Sequence, residues 1–537
     1  MENKIEEEKK IKDRKEKVKI WLKNPSNLLL ILILTVAFFI RLYYFILTEN
    51  QPVWWDESDY MAAAKSYAGL GDYKLESIRL PTFPILASIF FRIGFTESTI
   101  RFIILFIPSI LLIYLTYHLI REMYNDKKIA LISTLILTVL WEHLFYSNRF
   151  HTENFALIFQ FLALIVLIKS CVKKEDFFFI KNKYFLFLVI IFSIVAVMFR
   201  PGNIVFVPGI FIFLILMKGN ILFKNKKNTA YLISTLFVLF ILFIVIINKM
   251  SIPIISTYYQ PEKNIAWINL TVFQGFFQPL NQVLPNLFFY SFLLGIFIFI
   301  FNLFLSYEKL KNLKNDKENL DFKSDLLNIL LIFSILILFI FFIRPGTIEY
   351  RWFFPLLPGM LVFTSKGIID FSDFIGKKLF SKKIITFLII IISLFGFYTQ
   401  LIHADAIIKA KVDSYGQVRE SGIWIKENSN SQDSIVSASV PQHSYYSERK
   451  VYDFAFNNPN QSEEYFNMKM SEIKPKYIVV SVFEPAFTPQ WVYEWPSKNQ
   501  DKVTPVKAYF TDSEKKQPVL VVYKFNYNYA VNTNKTQ

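Results

Sequence analysis

Three carboxylates fall within four residues of one short segment. Gln51–Tyr60, QPVWWDESDY, carries Asp56, Glu57 and Asp59 between Trp54, Trp55 and Tyr60. Acidic residues beside an apolar run are ordinarily just solvated. Here the aromatics, Tyr60 among them, favour a partly dry interfacial pocket. A carboxylate in such a pocket has a raised pKa and serves as a base. The same hard oxygens, Asp56 and Asp59 first, also suit a divalent cation, Mg²⁺ or Mn²⁺. A second segment, Ser147–Glu153 (SNRFHTE), places Arg149, His151 and Glu153 within five residues. Ordinary helix ends, with a snorkelling arginine and a cap from Thr152 or Glu153, explain it equally well. Further arginines follow at Arg200 and Arg344, each in an RPG, and at Arg351 in EYRWFFPLLPG, while Arg41 lies inside an apolar run. An arginine at the bilayer centre costs ~2.5–3.5 kcal/mol on insertion scales, and less near the interface, so it tends to have a partner. A lipid-linked phosphate is one candidate, since guanidinium binds it bidentately and stays charged. Glu153, Glu349 or a lipid headgroup would serve as well.

These residues must be positioned by membrane helices. The chain has 537 residues, 53% of them hydrophobic and only 19% charged, with 59 Phe. That composition is of the membrane class. Runs long enough to span recur from Asn27–Leu47 to Ile384–Ile402, about eleven in all, with Ala230–Ile247 among them. Pro84–Ile93 is apolar but too short to span, and is expected to lie at the interface or re-enter. Lysines crowd alternate loops: the N-terminus, Arg121–Lys128, Lys169–Lys183, Lys218–Lys227, Glu308–Lys323 and Lys366–Lys383. The positive-inside rule then puts the N-terminus in the cytoplasm and the tail outside, which needs an odd number of spans. The net charge of +16 therefore reports topology, and nucleic acid is not an expected partner. The sequons Asn269, Asn460 and Asn534 all fall on the expected outer side. The lone Cys171 excludes an intramolecular disulfide. Met1–Lys23 is long and charged, and no small-residue cleavage site follows the first apolar run.

The expected fold is an α-helical polytopic membrane protein with a small C-terminal extracytoplasmic α/β domain. Residues 1–26 form a charged cytoplasmic N-terminus, 27–403 a transmembrane domain with a large first outer loop at 48–99, and 404–537 the outer domain. In the tail, Tyr415–Asn428 and Glu463–Ile473 read as helices, and Ser434–Ser439, Lys476–Phe483 and Val519–Phe525 as buried strands.

Carboxylates in the first outer loop, a second acid between later spans and arginines at bilayer level suit one task. That task is transfer of a group from a membrane-anchored phosphate donor to an acceptor outside, with a carboxylate deprotonating the acceptor hydroxyl and arginines stabilising the leaving phosphate. A transporter or flippase of a lipid-linked substrate is the alternative. It would ordinarily show repeats and broken or charged helices at the midplane, and neither stands out. A non-catalytic membrane scaffold would account for the spans and tail but not for the gathering of Asp56, Glu153 and outer arginines.

Four stretches resemble one superfamily. They are WWDESDYMAAAKSYAGLGDY (Trp54–Tyr73), LPTFPILASIFFRIGFTESTIR (Leu80–Arg101), IEYRWFFPLLPG (Ile348–Gly359), and GIWIKENSNSQDSIVSAS followed by YYSERKVY in the tail. The chain resembles the GT-C integral membrane glycosyltransferases, and most of all the branch of protein O-mannosyltransferases, aminoarabinose transferases and their archaeal and bacterial relatives. The resemblance implies a polyprenyl-phosphate sugar donor, a protein, glycan or lipid acceptor, and a plasma-membrane location among membrane lipids. By the same resemblance Asp56 is the catalytic base with Glu57 in support, and Glu153 binds acceptor or donor. Arg149, His151, Tyr60, Arg200, Arg344 and Arg351 are the expected substrate-binding residues. Two departures matter. Trp54–Asp56 continues Glu-Ser, not Tyr-Gly, and lies in the first loop, which disfavours oligosaccharyl transfer. The His-Lys that precedes Glu-x-Arg-Phe in lipid-linked mannosyltransferases is absent before Glu349.

Overall fold

The computed structural model describes residue 16, residues 19–224 except 77–78, 178–179 and 182–183, then 282–305 except 285–286, 320–342, 350–456 except 379–380, and 462–527 except 512–513. Ala230–Ile247, Arg344 and the three sequons lie outside the described residues. The chain forms two compact units: 1–46, 105–148 and 152–408 make the first; 47–104, 149–151 and 409–537 make the second.

The first unit is helical because its sequence is a series of apolar runs whose backbone polar groups must be satisfied internally. Among the described residues six helices are long and apolar enough to cross a membrane: Pro25–Thr48, Glu97–Tyr124, Glu153–Lys173, Leu287–Leu305, Arg351–Lys378 and Lys382–Lys411. Lys127–Val139 and Trp141–Ser147 are long and apolar enough only as a pair, and they meet at a 56° bend. Ile129–Ser147, expected as one span, is therefore kinked. Neither Pro nor Gly causes the kink, and buried side chains satisfy the groups it frees. Arg41 donates to Thr138 O at 2.9 Å and to His143 Nδ1 at 3.0 Å, and Gln400 Oε1 accepts from Trp141 N at 2.9 Å. The arginine inside the first span thus serves the broken helix. Leu287–Leu305 and Leu357–Lys378 pack backbone to backbone. A Cβ added at Gly295 or Gly367 would fall on the carbonyl oxygen of Phe363 or Ser291, so only glycine permits this approach.

In the second unit, helix Trp55–Tyr67 buries Met61, Ala62, Ala63 and Ala64. The three small alanines let it pack closely against two further helices, Thr82–Arg92 and Val440–Ser447. Pro84–Ile93, the short apolar stretch, forms that first helix and leaves Ile85, Ile89 and Ile93 exposed along one stripe. The tail folds around a mixed five-stranded sheet: β1 (Ser434–Ser437), β2 (Lys450–Tyr452), β3 (Tyr477–Ser481), β4 (Val503–Phe510) and β5 (Pro518–Phe525). Their order is β2-β1-β3-β5-β4, with β2 and β3 parallel to β1 and β5 antiparallel to β3 and β4. Helix Glu463–Ile473 starts on a cap in which Ser462 Oγ accepts from Tyr465 N, and it has the expected bounds. The strand expected at Ser434–Ser439 ends at Ser437, because Ser439 opens helix Val440–Ser447. Val436, Ile478, Phe466 and Trp495 build one side of the core, and Ile425, Ile435, Val479 and Val522 the other.

Candidate active site

Asp56 and Glu57 sit on the first turn of helix Trp55–Tyr67, where the positive end of the helix dipole favours carboxylates, and Asp59 follows on the next turn. Successive residues point about 100° apart on a helix, so the three side chains reach different surroundings. Glu57 turns inward. Its Oε1 accepts from Arg149 Nη1 at 2.7 Å, and its Oε2 accepts from the backbone N of Phe150 at 3.1 Å. The Arg149 guanidinium lies 3.6 Å over the Trp54 ring. Glu57 and Arg149 are 0% and 1% exposed. Burial pushes the Glu57 carboxyl upward, but Arg149, His151 and Arg101 outweigh it and hold the group below its ordinary value. His151 is buried too, and its N–H donates to Arg149 O.

Asp59 is also fully buried. It accepts from Tyr73 OH at 2.6 Å and Glu76 N at 3.2 Å, and meets Arg79 Nε at 2.5 Å. Burial pushes its carboxyl up to about 6 against the pull of Arg79, and Glu76 adds repulsion. Asp56 is the remaining member. Arg79 Nη2 donates to its Oδ1 at 2.7 Å, and its side chain keeps 24% exposure. Tyr60 lies beneath the same guanidinium, 5.1 Å from ring centre to Cζ. The cation that Asp56 and Asp59 share in this arrangement is therefore Arg79. Among the described residues no three His, Cys, Asp or Glu side chains are grouped to hold a metal ion.

Glu153 belongs to the first unit, as the opening residue of helix Glu153–Leu167. Two arginines flank it: Arg200 Nε at 3.7 Å and Arg351 Nη1 at 3.8 Å. Both separations exceed hydrogen-bond length, so this is an electrostatic grouping of two cations on one carboxylate. Each arginine sits where a helix is interrupted. Arg200 is extended (φ −142°, ψ 107°) between helix Phe185–Phe199 and the 3₁₀ turn Pro201–Phe206, and Arg351 lies in the 3₁₀ turn Tyr350–Leu356. The two turns are joined by Gln160, which is fully buried. Its Nε2 donates to Pro355 O at 2.8 Å and its Oε1 accepts from Asn203 Nδ2 at 2.9 Å.

The structure thus brings Asp56, Asp59, Tyr60 and Arg79 together, pairs Glu57 with Arg149 beside His151, and groups Glu153 with Arg200 and Arg351. Arg344 lies outside the described residues. Sequence reasoning missed Arg79, Tyr73, Gln160 and Asn203. Gln160 had a signal, as the lone polar residue in Phe155–Leu167. Arg79 had none, because a loop arginine is commonplace.

Residues 79–247 match the family model PMT_2, described as dolichyl-phosphate-mannose-protein mannosyltransferase. The matched segment holds Arg79, Arg149, His151, Glu153 and Arg200, and Asp56 and Glu57 precede it. No curated protein matches the chain. Solved structures share its fold. ArnT from Cupriavidus metallidurans, bound to undecaprenyl phosphate, is 10% identical with a TM-score of 0.58, and the match covers 92% of this chain and 97% of that one. Oligosaccharyltransferase AglB from Archaeoglobus fulgidus, in complex with an inhibitory peptide and a dolichol-phosphate, is 14% identical with a TM-score of 0.53, covering 84% of this chain and 69% of that one. The chain thus shares the fold of these two proteins over most of its length, and residues 79–247 match the mannosyltransferase family model.

Proposed function

We propose that the protein transfers a sugar from a polyprenyl-phosphate donor to an acceptor hydroxyl on the outer face of the plasma membrane, with Asp56 as general base. The observation that carries this reading is the division of labour among the three carboxylates. Glu57 and Asp59 are fully buried and committed to Arg149 and to Tyr73 and Arg79, whereas Asp56 keeps an exposed edge while Arg79 orients it. A base must reach its substrate, and Asp56 is the member of the triplet that can. Glu57 is then a positioning residue, not a second catalytic acid.

In the reaction the acceptor O–H gives its proton to the Asp56 carboxylate as its oxygen bonds to the anomeric carbon. The bond from that carbon to the phosphate oxygen breaks, and its electron pair leaves with polyprenyl phosphate. One displacement inverts the anomeric configuration. Arg200 and Arg351, grouped about Glu153, are guanidinium groups of the kind that stabilises a phosphate whose charge grows as it leaves. No step in this reading uses a metal. The lysine-loaded alternate loops support a cytoplasmic N-terminus and an outer tail.

The test is release of polyprenyl phosphate from a panel of radiolabelled polyprenyl-phosphate sugars by purified full-length protein. Asp56→Asn should lower release by about 10²–10⁴, the ordinary worth of a general base. Asp56→Asn retaining wild-type release would end the assignment.

A further inference from the structure

The first turn of helix Trp55–Tyr67 meets the tail at one aromatic pair. Trp55 and Phe487 stack with ring centroids 4.6 Å apart and 16° between their planes. Trp55 covers one face of Phe487, yet Phe487 remains 53% exposed, so its other face is open. A single exposed phenylalanine is ordinary, but the setting of this one is not. Its loop is held: Phe487 N and Thr488 Oγ1 both bond to Glu484 O, at 3.1 and 2.8 Å, and the buried Glu484 carboxylate accepts from Gln442 Nε2 at 3.3 Å. The open ring is therefore presented on a fixed support.

Polar groups continue from its edge to the proposed base. Trp55 Nε1 donates to Glu76 Oε1 at 2.8 Å, Glu76 Oε2 lies 3.5 Å from Arg79 Nε, and Arg79 Nη2 donates to Asp56. A flat apolar ring bordered by partly exposed carboxylates matches one ligand chemistry. A pyranose has a C–H face that packs on an aromatic ring and a rim of hydroxyls that donate to carboxylates. We propose that Trp55 and Phe487 form an acceptor platform for a saccharide, which lies on Phe487 with a hydroxyl directed along Glu76 toward Asp56. This rests on the glycosyltransferase reading and narrows its acceptor to a glycan.

The test is saturation-transfer NMR on the full-length protein in nanodiscs, with methyl α-mannoside, methyl α-glucoside and methyl α-galactoside as probes and a Ser/Thr-containing peptide as comparison. Wild type should transfer saturation to the ring C–H protons of at least one hexoside. Phe487→Ala, a change at an exposed site, should weaken that binding roughly fivefold, the worth of one aromatic contact. Phe487→Tyr should restore it. The proposal is overturned if no hexoside binds, if Phe487→Ala binds as well as wild type, or if the peptide binds in place of the hexosides with the same dependence on Phe487. Because the readout is binding, those results leave the assignment of Asp56 standing, and failure of the Asp56→Asn release assay leaves the platform standing.

Discussion

Glu57 and Arg149 form an ion pair at 2.7 Å in which both partners are buried, 92 residues apart in sequence. It ties the helix that carries Asp56 to the short segment Arg149–His151 within the same unit. The pair is closed on all sides, with Trp54 stacked on the guanidinium and Phe150 N on the second carboxylate oxygen. Removing one member leaves the other as an uncompensated buried charge, which costs about 3–5 kcal/mol, whereas removing both is far milder. Glu57→Ala should therefore destabilise the protein by about that amount, and Glu57→Ala with Arg149→Met by much less. Denaturant unfolding in detergent checks this. A double variant as unstable as the sum of the two singles would show that the pair is not coupled.

Asp59 gives the site a pH dependence of definite sign. Burial raises its folded value to about 6 from the ordinary 3.8, so between those values the folded protein holds a proton that the unfolded chain has lost. The contribution of Asp59 to stability is thus complete below about 4 and is lost as pH rises to about 6. Activity runs the other way. Ionised Asp59 attracts Arg79 more strongly than the protonated acid does and so favours the arrangement in which Arg79 also meets Asp56, and turnover should fall as pH drops through about 6. In Asp59→Asn the acid limb of the pH–rate profile should move away from 6. A limb that stays in place would assign it to another group.

The helices were legible because apolar runs in a membrane leave no alternative to internal hydrogen bonding. Helix Glu463–Ile473 was legible to the residue because Ser462 caps it. Strand β4 was not. VTPVKAYF carries Pro505 and is mostly exposed along its length, so neither a buried run nor a clean alternation marks it. The acidic triplet announced chemistry, but its sorting did not follow from local sequence. Which carboxylate is buried and paired depends on Arg79 and Arg149, which only the fold brings to the helix. The break at Leu140 was hidden for the same reason: the groups that satisfy it, Arg41 and Gln400, come from two distant helices.

Gln160 should act on the arginines without touching them. Its side chain ties the 3₁₀ turn after Arg200 to the one that contains Arg351. Gln160→Leu keeps the volume but leaves Pro355 O without this donor and Asn203 Nδ2 without this acceptor, at a cost of about 1–3 kcal/mol each. With the turns released, the two guanidiniums lose their fixed spacing about Glu153. The expected result is a rise of about tenfold in KM for the polyprenyl-phosphate donor, on the scale of roughly 1.4 kcal/mol per decade. Unchanged donor kinetics, measured by polyprenyl phosphate release, would confine Gln160 to a packing role.

The glycines at the closest helix crossing allow a graded test. At Gly295 and Gly367 an added Cβ has no room, because it meets backbone carbonyl oxygens of the partner helix that cannot move independently. At Gly396 it meets the ring of Phe288, which can swing aside at some cost. At Gly416, the first residue of a helix, it meets nothing within 4 Å. Gly295→Ala and Gly367→Ala should each destabilise by about 1–3 kcal/mol or more, as overpacking does. Gly396→Ala should cost less, and Gly416→Ala should be neutral or stabilising by about 0.4–1 kcal/mol through the unfolded chain. Thermal unfolding in one detergent orders the four. If Gly295→Ala and Gly367→Ala fall with Gly416→Ala, the two helices are not in backbone contact.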